Sequence, residues 1–183
     1  MLFRSRLHCF DQPYPFANDK ARFLWFRGAL PNPAARPPEA YACEVTMMVG
    51  LPGTGKDHWC REHAAHLPMM SLDNIRKKLG VSWTDDQGRV LRGAEERFTA
   101  FLKAGESFVY NATNIDRAMR RKWVRLARMR GARIRMVYIE PPLDIIRRQN
   151  RARADIVDDA VIDQYIEKLE VPDATEAHEV VWV

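Results

Sequence analysis

The spacing of apolar and polar positions changes character at residue 43. From there, short apolar runs alternate with stretches whose apolar residues recur every three or four positions. CEVTMMVG (43–50) is a continuous apolar run ending in glycine, which predicts a buried strand, and a helix is expected from Gly55 to about His66. LPMMSLD predicts a second short strand leading into a helix over 74–79. Val90, Leu91, Ala94, Phe98, Phe101 and Leu102 repeat at helical spacing up to Gly105. SFVYNATN predicts a third strand. A basic helix then places Met119, Trp123, Leu126 and Arg130 on one face, with Gly131 as its stop. RIRMVYIEPP is a fourth strand, followed by a helix through Leu143, Ile146 and Arg147, another around 161–169, and a closing strand HEVVWV. Alternation at this interval predicts an α/β fold, a parallel sheet with helices on both faces.

Residues 1–42 do not share this pattern. They hold 6 of the 11 prolines and 8 of the 18 aromatic residues, which predicts an extended, Pro/aromatic-rich N-terminal arm packing on the core, with PNPAARPPEA as an exposed linker. The remaining residues, 43–183, are long enough for one domain with one active site. No apolar run approaches the length that crosses a bilayer, and MLFRSRLHCF lacks the form of a secretory signal, so no membrane is expected and a cytoplasmic location is. Cys9, Cys43 and Cys60 are too few and too scattered for a disulfide framework and are read as buried or incidental thiols.

Charge adds a second layer. The net charge is +5, but residues 117–135 carry nine basic side chains and no acidic one, and 117–153 balance at 13 − 2 = +11, while the tail from 154 holds nine Asp or Glu against Lys168. The arginine block is either a solvated helix face or a site for a polyanion. Three subsequent features point to phosphate chemistry.

Residues 50–56 read GLPGTGK, the G-x-x-x-x-G-K pattern of a phosphate-binding loop, between a predicted strand and a predicted helix. In that pattern Gly50, Pro52, Gly53, Thr54 and Gly55 turn backbone N–H groups onto the phosphates of ATP or another nucleoside triphosphate, the helix adds its positive end, and Lys56 reaches the β and γ phosphates. Asp57 stands where Ser or Thr usually binds Mg²⁺. Its carboxylate either serves a divalent cation as a hard oxygen ligand or is a favourable first-turn residue of the helix. Asp73 and Arg76 lie three apart at the mouth of the second strand, where Asp73 can take the proton of an attacking hydroxyl unless Ser71 or Asp73 is simply a helix cap. Arg147, Arg148, Arg151 and Arg153 follow the fourth strand, in the position of a lid, about 147–160, over the transferring phosphoryl group.

GLPGTGKD, SLDNIRKKLGV, TDDQGRV, FVYNATN followed by RRKWVRLARMRGA, and RRQNRAR resemble the P-loop polynucleotide 5′-kinase family. The likeness is strongest to the kinase module of bacterial bifunctional end-healing enzymes, in which an HD-type phosphohydrolase precedes the kinase, and YPFANDKARFLWFRG is similar to the segment leading into that module. The resemblance implies a P-loop NTPase-like fold with a helical lid and ATP-dependent phosphorylation of RNA or DNA 5′-hydroxyl ends in nucleic-acid repair. Lys56 would grip ATP, Asp73 would be the general base, Arg76 would contact the acceptor strand, and Arg153 or Arg148 would support the transition state. Thr113, Asn114, Arg117, Arg120 and Arg121 would add acceptor contacts. Asp57, and Asn111 where relatives carry a carboxylate or small polar residue, depart from the family pattern. No phosphohydrolase signature occurs in these residues, so that activity would sit upstream or on a partner; a homo-oligomer is a further expectation. Two other functions use the same residues: a kinase of a small metabolite, and a non-catalytic, nucleotide-gated RNA-binding module. The block 117–135 separates them, because a small acceptor does not need so much positive surface. Trp83 and the arm supply aromatics that either stack on bases or pack in the core.

Overall fold

The computed structural model describes residues 14–82, 85–153 and 155–183. Cys9, Trp83 and Thr84 of TDDQGRV lie outside these residues, as does the start of the arm. The chain divides into two units, Met1–Ala40 and Tyr41–Val183.

In the first unit the expected extended arm contains a helix, α1 (Asp19–Phe26). The prolines bracket this stretch rather than interrupt it, and Asn18 caps it by accepting a hydrogen bond from the Ala21 N–H at 2.8 Å. The Asn18 amide also donates to the Pro37 carbonyl, and the Lys20 ammonium donates to the carbonyls of Pro38 and Ala40. Proline-rich backbone that cannot pair in a sheet is thereby tied back to the helix start.

The second unit is a five-stranded sheet formed by β1 (Glu44–Val49), β2 (Met69–Ser71), β3 (Phe108–Asn111), β4 (Arg133–Tyr138) and β5 (Glu179–Trp182). The order is β2-β3-β1-β4-β5 and every pair is parallel. Among the described residues, six helices connect and flank the strands: α2 (Lys56–His63), α3 (Leu72–Leu79), α4 (Gly88–Ala104), α5 (Arg117–Met129), α6 (Leu143–Arg151) and α7 (Asp159–Glu167). Parallel strands are covered on both faces and therefore read as continuous apolar runs, as β1 does. Strand pleating sends alternate residues to opposite layers. Met48, Val109 and Val137 pack with Cys60 and Trp59 of α2, whereas Phe108 and Tyr110 pack edge-on against Phe98 of α4, with Trp123 of α5 completing that cluster. Helices thus lie on both faces of the sheet. The chain leaves central β1 for outer β2, returns to β3 and crosses to β4, so the carboxyl ends of the strands on either side of β1 open onto one crevice.

The basic helix α5 turns a different face to the sheet from the one its apolar spacing predicts. Met119 is 47% exposed and Leu126 half-buried, while Arg120, Trp123, Val124 and Ala127 are buried. Arg120 has no exposed surface. Its Nε and Nη2 form a fork with Glu176 at 2.9 and 2.8 Å, and its Nη1 donates to the carbonyls of Asn114 and Ile115, both at 2.9 Å. A guanidinium with this many acceptors tolerates burial, and its partner lies in the acidic tail, invisible to helical periodicity. Arg120→Ala leaves the Glu176 carboxylate buried without the guanidinium fork that neutralises it, the Arg117 Nε lying further off at 3.7 Å. The expected loss of stability is about 3 kcal/mol, read as a lower denaturant midpoint at unchanged slope.

Candidate active site

Residues 50–55 form the turn between β1 and α2, and its glycines answer two close approaches. A Cβ on Gly50 (φ 148°) would sit 2.7 Å from the Ile139 carbonyl oxygen, and one on Gly53 (φ 83°) would sit 2.7 Å from that of Ile146 in α6. Any side chain at either position collides with backbone, so the loop exists only with glycine there. The loop's root is braced from the turn that follows β3: the Gly50 N–H donates to the Thr113 carbonyl at 2.9 Å, and the Asn114 amide donates to the Met48 carbonyl at 2.8 Å. Asn114 is fully buried and adopts φ 48°, a conformation asparagine tolerates. Its expected role as an acceptor contact is therefore corrected: Asn114 holds the loop in place and has no surface for a substrate. Thr113 is half-buried and contributes its carbonyl to the same brace.

Lys56 opens α2. It is half-buried, and its ammonium donates to the carbonyls of Gly50 and Leu51 at 2.8 and 2.6 Å, with Thr54 Oγ1 at 3.4 Å. Burial, reinforced by Arg153, lowers its pKa to about 8 against the opposing pull of Asp57 and Asp73. The ammonium is therefore present below about pH 8 and lost above it. Phosphate at the loop favours the charged form, so nucleotide binding should take up a proton near pH 8 to 9 and far less at pH 7. Calorimetry in buffers of different ionisation enthalpy measures this, and the apparent KM for ATP should climb across the same window.

Asp57, in the first turn of α2, accepts a hydrogen bond from the Asn111 amide at the carboxyl end of β3, at 2.5 Å. Among the described residues no three His, Cys, Asp or Glu side chains converge as a complete metal cage. Mg²⁺ does not require one, since it commonly takes one or two carboxylates together with substrate phosphates, and an exposed carboxylate beside the loop fits that donor set. Asp57 would hold the cation, which would neutralise charge on the phosphates. Cys60, one turn further along, has its thiol pushed up to about 11 by burial and is no nucleophile.

The second wall of the crevice is α3. The Asp73 carboxylate receives Nη1 of Arg76 at 2.5 Å and lies 3.9 Å from Nη2 of Arg153. Neither Ser71, the residue preceding the helix, nor Asp73 caps it by a side-chain hydrogen bond. Arg76 is held from its other side by Gln87, whose Oε1 accepts from Nε at 2.8 Å. Gln87 also donates to the carbonyls of Ser82 and Asp85, an arrangement spacing alone does not announce.

Lys56, Asp57, Asn111, Asp73, Arg76 and Arg153 thus gather at one end of the sheet, and the other expected residues do not all join them. Arg120 is structural and is corrected as a substrate contact. Arg117 turns into the acidic tail, with Asp173 at 3.2 Å and Thr175 at 2.8 Å. Arg121 and Arg148 are exposed and without an acidic partner among the described residues. Of the two arginines weighed for the transition state, Arg153 is the one beside Asp73.

No helix among the described residues is long and apolar enough to cross a membrane. Among the solved structures that share the fold, three illustrate its range. One is a protein in the Pnkp1/Rnl/Hen1 RNA repair complex, with TM-score 0.64 and 17% identity over 74% of this chain and 46% of that one. The second is a sugar kinase from a Janibacter species, with TM-score 0.58 and 18% identity over 77% of this chain and 84% of that one. The third is Kti12 of Chaetomium thermophilum in complex with ADP-AlF3, with TM-score 0.57 and 12% identity over 76% and 88%. The sequence profile of the AAA domain family matches residues 45–172, from the first residues of β1 past α7. With the five parallel strands, the glycine loop and its lysine, this match makes the chain a member of the AAA domain family with a P-loop kinase fold.

Proposed function

We propose that the protein is an ATP-dependent polynucleotide kinase that phosphorylates 5′-hydroxyl ends of RNA or DNA in end healing. The observation that carries the transfer chemistry is the placing of the Asp73 carboxylate between Arg76 and Arg153 across from the Lys56 loop. A hydroxyl arriving at Asp73 would lose its proton to the carboxylate as its oxygen bonds to the γ-phosphorus and ADP departs, with Arg153 and Lys56 stabilising the charge on the transferring group. Three things support a polynucleotide acceptor: the resemblance of five separate segments to polynucleotide 5′-kinases, the shared fold with a member of an RNA repair complex, and arginines left over after internal pairing. Arg121, Arg125 and Arg128 on α5 and Arg148 on α6 are exposed and lack an acidic partner among the described residues.

A small hydroxyl metabolite is the second reading, and a specific observation favours it. Arg117, Arg120, Arg133 and Arg135 are taken up by Asp173, Glu176, Glu44 and Glu179, so much of the basic block is neutralised within the fold. Ionic strength separates the two. Phosphate contacts release counterions, so the apparent KM for a 5′-hydroxyl oligonucleotide should rise with salt far more than that for ATP. Arg121→Ala and Arg125→Ala should each flatten the salt slope by about one unit, without regard to base sequence. A KM that ignores salt would favour the small acceptor.

A further inference from the structure

The segment joining α6 to α7 carries Arg153 and is closed by one side chain. Asn150, in the last turn of α6, is fully buried, and both ends of its amide bond the backbone of a single residue: Nδ2 donates to the Val157 carbonyl at 2.6 Å, and Oδ1 accepts from the Val157 N–H at 3.1 Å. This pair of hydrogen bonds has the form of a strand bridge and closes a ring from 150 to 157. Val157 is further packed against a small core made by Leu51, Ile115, Ile146 and Ile162. Within the ring, Arg153 lies 3.9 Å from Asp73, and Asp155 pairs with Lys77 of α3 at 3.4 Å. The same asparagine abuts the phosphate loop, because a Cβ on Gly53 would fall 3.2 Å from both the Cβ and the backbone N of Asn150.

We propose that Asn150 is a positioning residue: its two hydrogen bonds to Val157 present Arg153 to Asp73 and keep the arginine-bearing segment in register with the phosphate loop. The Lys77–Asp155 pair is exposed on both sides and the Arg153–Asp73 pair is long at 3.9 Å with an exposed carboxylate, so neither fixes the segment by itself. The buried amide has no competing solvent, and its acceptor and donor are both satisfied only in this arrangement. The catalytic part of the proposal rests on the role given to Arg153 above.

Asn150→Asp keeps the shape and the acceptor but sets a carboxylate oxygen against the Val157 carbonyl. Asn150→Ala, which buries no charge, is the second variant should the first not fold. Hydrogen exchange on the whole protein, which needs no acceptor, is expected to show faster exchange at Arg153 and Val157, whose N–H groups bond Asn150, with unchanged protection in β1. With a 5′-hydroxyl oligonucleotide and saturating ATP, kcat is expected to fall 10- to 100-fold at a KM for ATP within twofold of wild type. The same loss is expected from Arg153→Ala, and combining the two changes should add nothing further. Unchanged exchange, or additive losses in the double variant, would overturn the proposal. Wild-type kcat in Arg153→Ala would remove Arg153 from the reaction and the positioning role with it. A wild-type protein inactive on the oligonucleotide would instead count against the acceptor reading, and exchange would still decide whether Asn150 holds the segment.

Discussion

Asp73→Asn is expected to lower kcat by about 10²- to 10⁴-fold while leaving ATP binding nearly unchanged, the loss associated with removing a general base. The substitution preserves shape and one acceptor oxygen for Arg76, whose Nη1 sits at 2.5 Å and whose Nε is separately held by Gln87. What disappears is basicity and one negative charge beside Arg153. Because Asp73 makes no capping hydrogen bond to α3, a fall in activity cannot be assigned to an unravelled helix. Steady-state kinetics with both substrates varied, alongside a thermal melt, separate these effects. A variant that keeps wild-type kcat would make Asp73 an ion-pair partner only.

Lys56→Ala should abolish measurable transfer in a protein that remains folded. The expectation of an intact fold follows from the pKa. A lysine held at about 8 carries its charge at a cost in the folded state below that pH, a cost that disappears as pH rises toward the unfolded value. Removing the ammonium surrenders its hydrogen bonds to Gly50 and Leu51 but also relieves that cost, and the loop keeps its glycine geometry and the brace from Thr113 and Asn114. Nucleotide affinity measured by calorimetry and turnover should fall together, with a melting temperature close to wild type. Turnover near that of wild type would take the phosphate loop out of the reaction.

Local signals carry far in this chain. The apolar runs of β1 and β3, the alternation of strand and helix, and the stops at Gly105 and Gly131, which take φ values of 66° and 68°, are each written within a few residues. The loop lysine and the Asp73–Arg76 pair were legible for the same reason, being short motifs at the end of a strand. Long-range partners were not. Arg120 reads as one more surface arginine until Glu176, 56 positions away, is seen to take it into the core. Asn114 reads as a polar residue facing substrate until its amide is found on Met48, 66 positions earlier. The arm reads as extended because its prolines dominate the composition, although they leave α1 uninterrupted. For Arg120 and Asn114 the deciding term is a buried hydrogen bond between distant segments, and no periodicity encodes it.

The most direct test is transfer of γ-phosphate from labelled ATP, with Mg²⁺, by the purified protein to matched acceptors: 5′-hydroxyl RNA and DNA oligonucleotides, the same strands already 5′-phosphorylated, and a sugar hydroxyl such as gluconate. Label on the 5′-hydroxyl strands, none on the phosphorylated ones, and loss of the signal in Asp73→Asn is the predicted result. Label on the sugar with none on the oligonucleotides would make the protein a metabolite kinase, and nucleotide and RNA binding without transfer to any acceptor would contradict the account of Asp73 altogether.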